Sequence, residues 1–393
     1  MSQVSVKNKN RLSSRIQDIK PSGIRRFFDL ASSMDNIISL GVGEPDFTTP
    51  WNIREASISS MERGFTAYSA NAGVLELRQE ITKYMERRFD VEYDPETEVL
   101  VTVGASEAID IGCRAILDPG DEVIIVEPGF VSYAPLVSMA GGVPVSVGTK
   151  IEDDFKVSAE QIRAVLTEKT KALMISFPNN PTGAVMLKED LQEIATLAEE
   201  HDLIVFSDEI YAELSYDHKH VSFAALDGMK ERTILISGFS KAFAMTGWRL
   251  GFVMAPPDLL AAMLKLHQYS LMCAPTMAQY GALEALKSGM DDVERMTQSY
   301  KQRRGFFVES FAEMGLACHM PGGAFYAFPS IKATGLTSEE FAEKLLYEEH
   351  VAVVPGDIFG AGGEGHIRCS YATSMENLQE ATKRMNRFVS KYL

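Results

Sequence analysis

Five short apolar runs recur through the middle of the chain: Val99-Leu-Val-Thr-Val-Gly104, Glu122-Val-Ile-Ile-Val-Glu127, Ala172-Leu-Met-Ile-Ser-Phe177, Leu203-Ile-Val-Phe-Ser207 and Thr233-Ile-Leu-Ile-Ser237. Each is nearly continuous rather than alternating, which predicts a strand covered on both faces. Between them lie amphipathic stretches such as Leu187 to His201, where Leu191, Ile194, Ala195 and Ala198 share one helical face. Strands alternating with helices predict an α/β fold with a mostly parallel sheet and right-handed crossovers. Near Asp291 the rhythm changes. A long polar helix over Val293 to Met314 leads to apolar segments at Ala324 to Phe328, Val351 to Val354 and Gly365 to Tyr371, which predict a smaller α+β domain. The segment up to Phe47 is expected to pack with it, giving a large domain over 48–290 and a small one from 1–47 plus 291–393.

The residues just after each run tell more than the run itself. The five continuations are Gly104-Ala-Ser106, Pro128-Gly-Phe130, Pro178-Asn-Asn180-Pro-Thr-Gly183, Asp208-Glu-Ile-Tyr211 and Gly238-Phe-Ser-Lys241. In an open parallel sheet these positions share the carboxyl edge, where ligands bind. Glycine, proline and asparagine also end strands for local reasons. Five clusters that together hold an amine, a carboxylate, hydroxyls and rings are read as a site.

Their chemistry suits a cofactor with a pyridine nitrogen, a reactive aldehyde and a phosphate. Lys241 is a carbonyl nucleophile if desolvation or a cationic neighbour keeps part of it neutral; otherwise it is a solvated surface lysine. Arg249 and the Ser240 hydroxyl can hold a phosphate. The amides of Ala105 and Ser106, if they open a helix running to Ile116, form an anion site, although Ser106 followed by Glu107 is equally an ordinary helix start. Asp208 can keep a ring nitrogen protonated and so maximise electron withdrawal. Phe130 can stack on a flat ring, and Tyr211 and Asn180 can hydrogen-bond its phenolic oxygen. Arg368 ends an apolar segment where a guanidinium would hold a carboxylate, a surface ion pair being the other reading. Gly43 either admits close approach of backbone to a ligand or turns the chain.

Composition removes several other partners. The 393 residues, 46% hydrophobic and 23% charged, indicate a globular chain of two domains, or of one large domain with an appendage. With 38 basic against 54 acidic residues the net charge is −16, which argues against nucleic acid or an anionic membrane. Cys113, Cys273, Cys318 and Cys369 form no C-x-x-C pair, so reduced thiols and a cytoplasmic location are expected. No apolar run is long enough to span a membrane. Met1 to Arg11 reads as a solvated arm with a faint transit-peptide character from Arg11, Arg15 and nearby serines. Gly360-Ala-Gly362-Gly-Glu-Gly365 fits a dinucleotide fingerprint but is not expected to open a helix, and His218-Lys-His220 has no third ligand nearby, so no metal is expected.

From near Ser22 onward these motifs resemble, in order, the class I pyridoxal-phosphate-dependent aminotransferases of fold type I. Gly238-Phe-Ser-Lys241 with Thr246-Gly-Trp-Arg249-Leu-Gly251 is similar to the family's Schiff-base lysine segment. Asn179-Asn180-Pro-Thr-Gly183, Asp208-Glu-Ile-Tyr211, Gly43-Glu-Pro-Asp-Phe47 and Ile367-Arg368 are similar to its other signatures. The resemblance implies pyridoxal 5′-phosphate carried by Lys241, which also moves the proton at the substrate's Cα, with Asp208 and Tyr211 as catalytic partners. It implies that Arg368, Asn180 and the backbone near Gly43 hold the α-carboxylate. It also implies a homodimer with shared sites, in which Tyr68 reaches the neighbouring subunit's cofactor phosphate.

Three positions depart from that pattern. Gly238 stands where many relatives carry another phosphate-binding serine, Ser106 where some aspartate- or prephenate-using relatives carry a lysine, and Phe130 where several carry tryptophan or tyrosine. The chain most resembles bacterial alanine- and aspartate-type members of the I-gamma subgroup. The resemblance therefore implies ping-pong transfer between an L-amino acid, alanine first, and a 2-oxo acid such as 2-oxoglutarate. The alternatives are a C–S β-lyase, a decarboxylase, an aspartate- or aromatic-type aminotransferase, and a non-catalytic regulatory protein. An intact Lys241 speaks against the last.

Overall fold

The computed structural model describes residues 11–17, 19–21, 23 and 34–393. The arm expected at the N-terminus lies, for residues 1–10, outside the described residues, as do residues 24–33 of the segment expected to join the small domain. After a two-residue strand, β1 (Ile38–Ser39), come the strands of the main sheet: β2 (Val99–Thr102), β3 (Glu122–Glu127), β4 (Val143–Gly148), β5 (Thr170–Ser176), β6 (Ile204–Asp208), β7 (Thr233–Gly238) and β8 (Gly251–Met254). Their order across the sheet is β2-β8-β7-β6-β5-β3-β4. Strands β3 to β7 run parallel, and β8 lies antiparallel between β7 and β2. This is the mostly parallel α/β sheet that the apolar runs predict.

Alternate residues of each strand enter opposite cores. Leu100, Val123, Ile125, Phe206 and Ile236 pack with Ile109 and Met263 of the helices Ala105–Ile116 and Pro257–Ser270. Ile124, Leu173 and Val205 pack instead with Leu191, Ile194 and Ala198 of the helix Lys188–Glu200. With both faces covered, a near-continuous apolar run is the stable solution, each fully buried Leu, Ile or Phe contributing about 1.5–3 kcal/mol. One strand departs from that rule. Strand β4, at one edge of the sheet, contains Pro144 and exposed positions, and proline is tolerated at such an edge. Strand β8, buried at every position, starts at Gly251, the last residue of the segment that sequence reading assigned to chemistry, and it returns the chain antiparallel.

The remaining strands are β9 (Tyr326–Ala327), β10 (Val351–Ala352), β11 (Val354–Pro355) and β12 (Ile367–Ser370). Strands β11, β12 and β9 form a small antiparallel sheet, and β10 pairs parallel with β1. The helices Met290–Glu313, Ser338–Glu349 and Met375–Val389 close over them around Phe307, Phe341, Leu345 and Phe388. Ser338–Glu349 begins in a capping box between Thr337 and Glu340, which satisfies two donors at the helix start.

The turn after β6 is tied down by buried acids. Glu213 accepts from the Tyr84 hydroxyl at 2.7 Å and from Arg88 Nε and Nη2 at 3.0 and 2.6 Å, which anchors the turn to the helix Leu75–Phe89. Glu213→Ala leaves Tyr84 buried without this partner. It is expected to lower unfolding stability by about 2–3 kcal/mol in urea denaturation; an unchanged midpoint would show that the anchor carries no stability.

Candidate active site

The carboxyl ends of β2, β3, β5, β6 and β7 open on one cavity of about 560 Å³, into which the small sheet contributes Tyr326 and Arg368. It is lined by Gly43, Ala105, Ser106, Phe130, Asn180, Asp208, Tyr211, Ser240, Lys241, Arg249 and Arg368, all of which sequence reading singled out. Tyr68 is the exception. It is 80% exposed and lies outside the cavity of its own chain.

One end of the cavity is made largely by backbone. Gly104, at φ 76°, precedes the helix Ala105–Ile116, and the first turn of that helix faces the guanidinium of Arg249. The φ of Gly104 favours glycine, and a Cβ there would lie 2.6 Å from Arg249 Nη2 and displace the guanidinium. The Arg249 Nη1 donates to Thr246 O at 3.1 Å. Glu107 is turned the other way, accepting from the Val103 N–H and lying 2.6 Å from His267 Nδ1. The helix start is thus an ordinary one locally and also a set of amides open to an anion. Gly238, the missing serine, has a physical reason: a Cβ there would lie 2.8 Å from Gly251 Cα on the paired strand β8. Two amides, the hydroxyls of Ser106 and Ser240 and a guanidinium fit a phosphate.

Lys241 is the cation at the centre. Its Nζ donates to Gly43 O at 2.7 Å and lies 5.9 and 6.0 Å from the rings of Tyr211 and Phe325. Burial, helped by Arg368 and Arg249 and opposed by Glu44 and Asp208, pulls its pKa down to about 8. Lys241 is therefore no solvated surface lysine. At the end of β6, Asp208 accepts from the Tyr133 hydroxyl at 2.7 Å and from Ile210 N at 3.2 Å. Burial pushes its pKa up to about 6 against those two hydrogen bonds. The Tyr211 hydroxyl meets that of Tyr326 at 2.8 Å. Phe130 packs edge-on to Tyr133, with centroids 5.5 Å apart.

Arg368 is buried and makes no surface ion pair. Its Nη1 donates to Asn180 Oδ1 at 2.9 Å and its Nη2 to Gly41 O at 2.7 Å, between the rings of Tyr326 and Phe359 at 4.5 and 4.9 Å. Its Nε has no partner. Sequence reading missed Tyr133 and Tyr326. Tyr133 had a faint signal, three residues after Phe130 on a starting helix, while Tyr326 sat inside a segment read only as a strand. Among the motifs set aside, Gly360 to Gly365 contains a 3-10 turn at Ala361–Gly363, and His220 is bonded through Nε2 to Glu209 at 2.9 Å. Among the described residues no group of His, Cys, Asp or Glu is placed to hold a metal, and no helix is long and apolar enough to cross a membrane.

A family model described as aminotransferase class I and II matches residues 35–385. The chain belongs to this family. It is similar to the Bacillus subtilis protein YugH, 64% identical over 97% of this chain and 98% of that one. It is also similar to an aspartate aminotransferase of Pyrococcus abyssi, 50% identical over 96% of this chain and 97% of that one. Among solved structures, an aromatic aminotransferase from Pyrococcus horikoshii superposes with a TM-score of 0.90 at 48% identity, covering 94% of this chain and 99% of that one. The chain is thus an aminotransferase with the fold of that class, and such enzymes act on amino acids and keto acids.

The raised pKa of Asp208 has a direct consequence for stability. Because the folded protein holds that proton more tightly than the unfolded chain, the contribution is full below about pH 4 and is lost as the pH rises through about 6. In the cofactor-free protein, Asp208→Asn is expected to raise the melting temperature at pH 8 and to leave it near wild type at pH 4. A variant that melts lower than wild type at pH 8 would contradict the buried-charge account.

Proposed function

We propose that this aminotransferase holds pyridoxal 5′-phosphate in the cavity and transfers an amino group from an L-amino acid to a 2-oxo acid in a ping-pong cycle. The observation that carries the reading is the meeting of Lys241, Asp208 and Arg368 in one cavity. When bound, the cofactor supplies an electron sink for negative charge developing at the substrate's Cα. Ala105, Ser106, Ser240 and Arg249 would hold its phosphate, Phe130 would cover its ring, and Asn180 and Tyr211 would bond its phenolic oxygen. Asp208 would keep a proton on the ring nitrogen. Lys241, whose pKa of about 8 leaves part of it neutral near pH 7, would take the proton from the substrate's Cα and return it to the cofactor's aldehyde-derived carbon, across the nitrogen that joins the two. Arg368 would fix the α-carboxylate, with Asn180 and the backbone near Gly43 setting its direction.

We further read 48–290 as a large domain and 1–47 plus 291–393 as a small one, in a cytoplasmic homodimer. A second copy is favoured by the exposed large apolar side chains Met61, Phe65, Tyr68, Tyr269 and Met272, which lie on two stretches of chain that the bond from Asn71 Nδ2 to Met272 O ties together. Of these, Tyr68 would serve the neighbouring subunit's phosphate.

Alanine is the donor we favour. The cations lining the cavity are Lys241, Arg249 and Arg368, and Glu44 shares the same space, so these residues offer a second substrate carboxylate no free cation. The distal carboxylate of 2-oxoglutarate would then be met by the partner subunit. The apolar wall of Val42, Ile109 and Tyr326 favours an aromatic donor as the second reading. Mixing the holoenzyme with single amino acids and following loss of its visible absorbance is expected to rank alanine above aspartate and phenylalanine. The reverse ranking replaces the donor and leaves the reaction class standing. Lys241→Ala is expected to lose transamination together with the wild-type absorbance band. A wild type that is colourless and takes up no added pyridoxal phosphate would sink the cofactor assignment, and pyruvate with ammonia released from cysteine without a 2-oxo acid would favour a β-lyase.

A further inference from the structure

Tyr326 touches three parts of the site at once. On β9 it is 1% exposed and stands opposite Ser370 of β12, two residues beyond Arg368. Its ring lies 4.5 Å from the Arg368 guanidinium carbon, its hydroxyl 2.8 Å from that of Tyr211, and a Cβ on Gly43 would lie 2.7 Å from the same hydroxyl. We infer that Tyr326 is a positioning residue that ties Arg368 to Tyr211, so that a carboxylate taken by the arginine is felt at the phenol facing the cofactor. The inference rests on the cofactor and carboxylate assignments above.

The tie has two physical parts. The first is orientation. Arg368 is sandwiched between the Tyr326 and Phe359 rings, which fixes the guanidinium plane, and each of Nη1 and Nη2 gives one hydrogen to Asn180 or Gly41 and keeps a second for a ligand. The second is the direction of one hydrogen bond. A phenol has a single hydrogen, so either Tyr326 donates to Tyr211, leaving the Tyr211 hydrogen for the cofactor's oxygen, or Tyr211 spends it on Tyr326. The guanidinium against the Tyr326 ring makes its hydroxyl the stronger donor, which favours the chain from Tyr326 to Tyr211 to the cofactor. The charged groups acting on this pair are Arg368, Glu44 and Asp208, with Lys241 Nζ 5.9 Å from the Tyr211 ring. A carboxylate on Arg368 offsets the charge that strengthens the donor, so its arrival reaches Tyr211 through one ring and one hydroxyl.

The test uses the holoenzyme and the pH titration of its visible absorbance, with and without propionate, which has alanine's carboxylate and no amine. In wild type, propionate is expected to shift the titration midpoint. Tyr326→Phe keeps the ring and removes the hydroxyl. It is expected to move the ligand-free midpoint by about half a unit or more, to cut the propionate-induced shift by about half, and to leave KM for alanine within about twofold. Tyr326→Leu removes the ring and is expected to raise that KM about fivefold or more. Gly43→Ala, which crowds the hydroxyl from the other side, is expected to shift the midpoint in the same direction as Tyr326→Phe. Tyr326→Phe titrating like wild type in both conditions overturns the inference, as does a change confined to melting temperature. A wild type with no visible band fails at the cofactor assignment instead, so the two failures are distinct.

Discussion

Arg368 is a guanidinium held out of water, and the site is organised by what that burial demands. A charge removed from solvent without partners costs several kcal/mol, so its hydrogens have to be met, and Asn180 and Gly41 meet two of them. Asn180 follows β5 of the main sheet, Gly41 follows β1, and Arg368 belongs to β12 of the small sheet. One side chain therefore fastens three pieces of chain. Lys241 to Gly43 and Tyr211 to Tyr326 cross the same seam, joining residues 198 and 115 apart in sequence. Because these bonds span the seam rather than lie within one strand, the cavity exists only when both sheets are in place.

Desolvation also sets the protonation behaviour of the cavity. The same exclusion of water raises an acid and lowers a base, bringing Asp208 to about 6 and Lys241 to about 8. Their separation shrinks to roughly two units from the six or more of the free side chains, so moving a proton in this cavity is less costly than in water. The chain as a whole is strongly acidic, at −16. Its cavity is locally cationic through Lys241, Arg249 and Arg368. Net charge therefore describes solubility and says little about the ligand, which meets only the focused local field.

The legible part of the sequence was the part governed by local periodicity and by short motifs. Runs such as Thr233 to Ser237 are apolar because both faces of β7 are covered, and that cause acts within a few residues. The polar groups just past the runs were legible because the end of a parallel strand has a fixed place at the sheet's carboxyl edge. Tyr133 and Tyr326 were not. Tyr133 acts by a hydrogen bond to a residue 75 positions away, and Tyr326 by contacts to Tyr211, Gly43 and Arg368 that depend on how the small sheet docks. An aromatic residue in an apolar segment carries no sequence mark distinguishing a hydroxyl used in a site from one that merely reaches a partner. Strand β4 escaped for another reason: most of its positions are exposed or half-buried, so it lacks the double burial that made the five runs visible.

The end of the cavity proposed for a phosphate and the end proposed for a carboxylate are built differently, and this bears on how the site can vary. Gly104, Gly238 and Gly251 allow backbone and guanidinium to approach within distances that a Cβ would violate, so that end depends on missing side chains. A serine at 238 would have to push β7 from β8, and the donors that remain come from main-chain amides, Ser106, Ser240 and Arg249. Backbone donors are fixed by the fold, and an exchange of side chains elsewhere does not move them. The other end rests on side chains, with Arg368 oriented by Tyr326, Phe359 and Asn180. Substitutions at that end can alter which molecule is held while the backbone cradle stays intact, so one fold leaves room for different substrates, and the relatives this chain is similar to are named for aspartate and for aromatic amino acids.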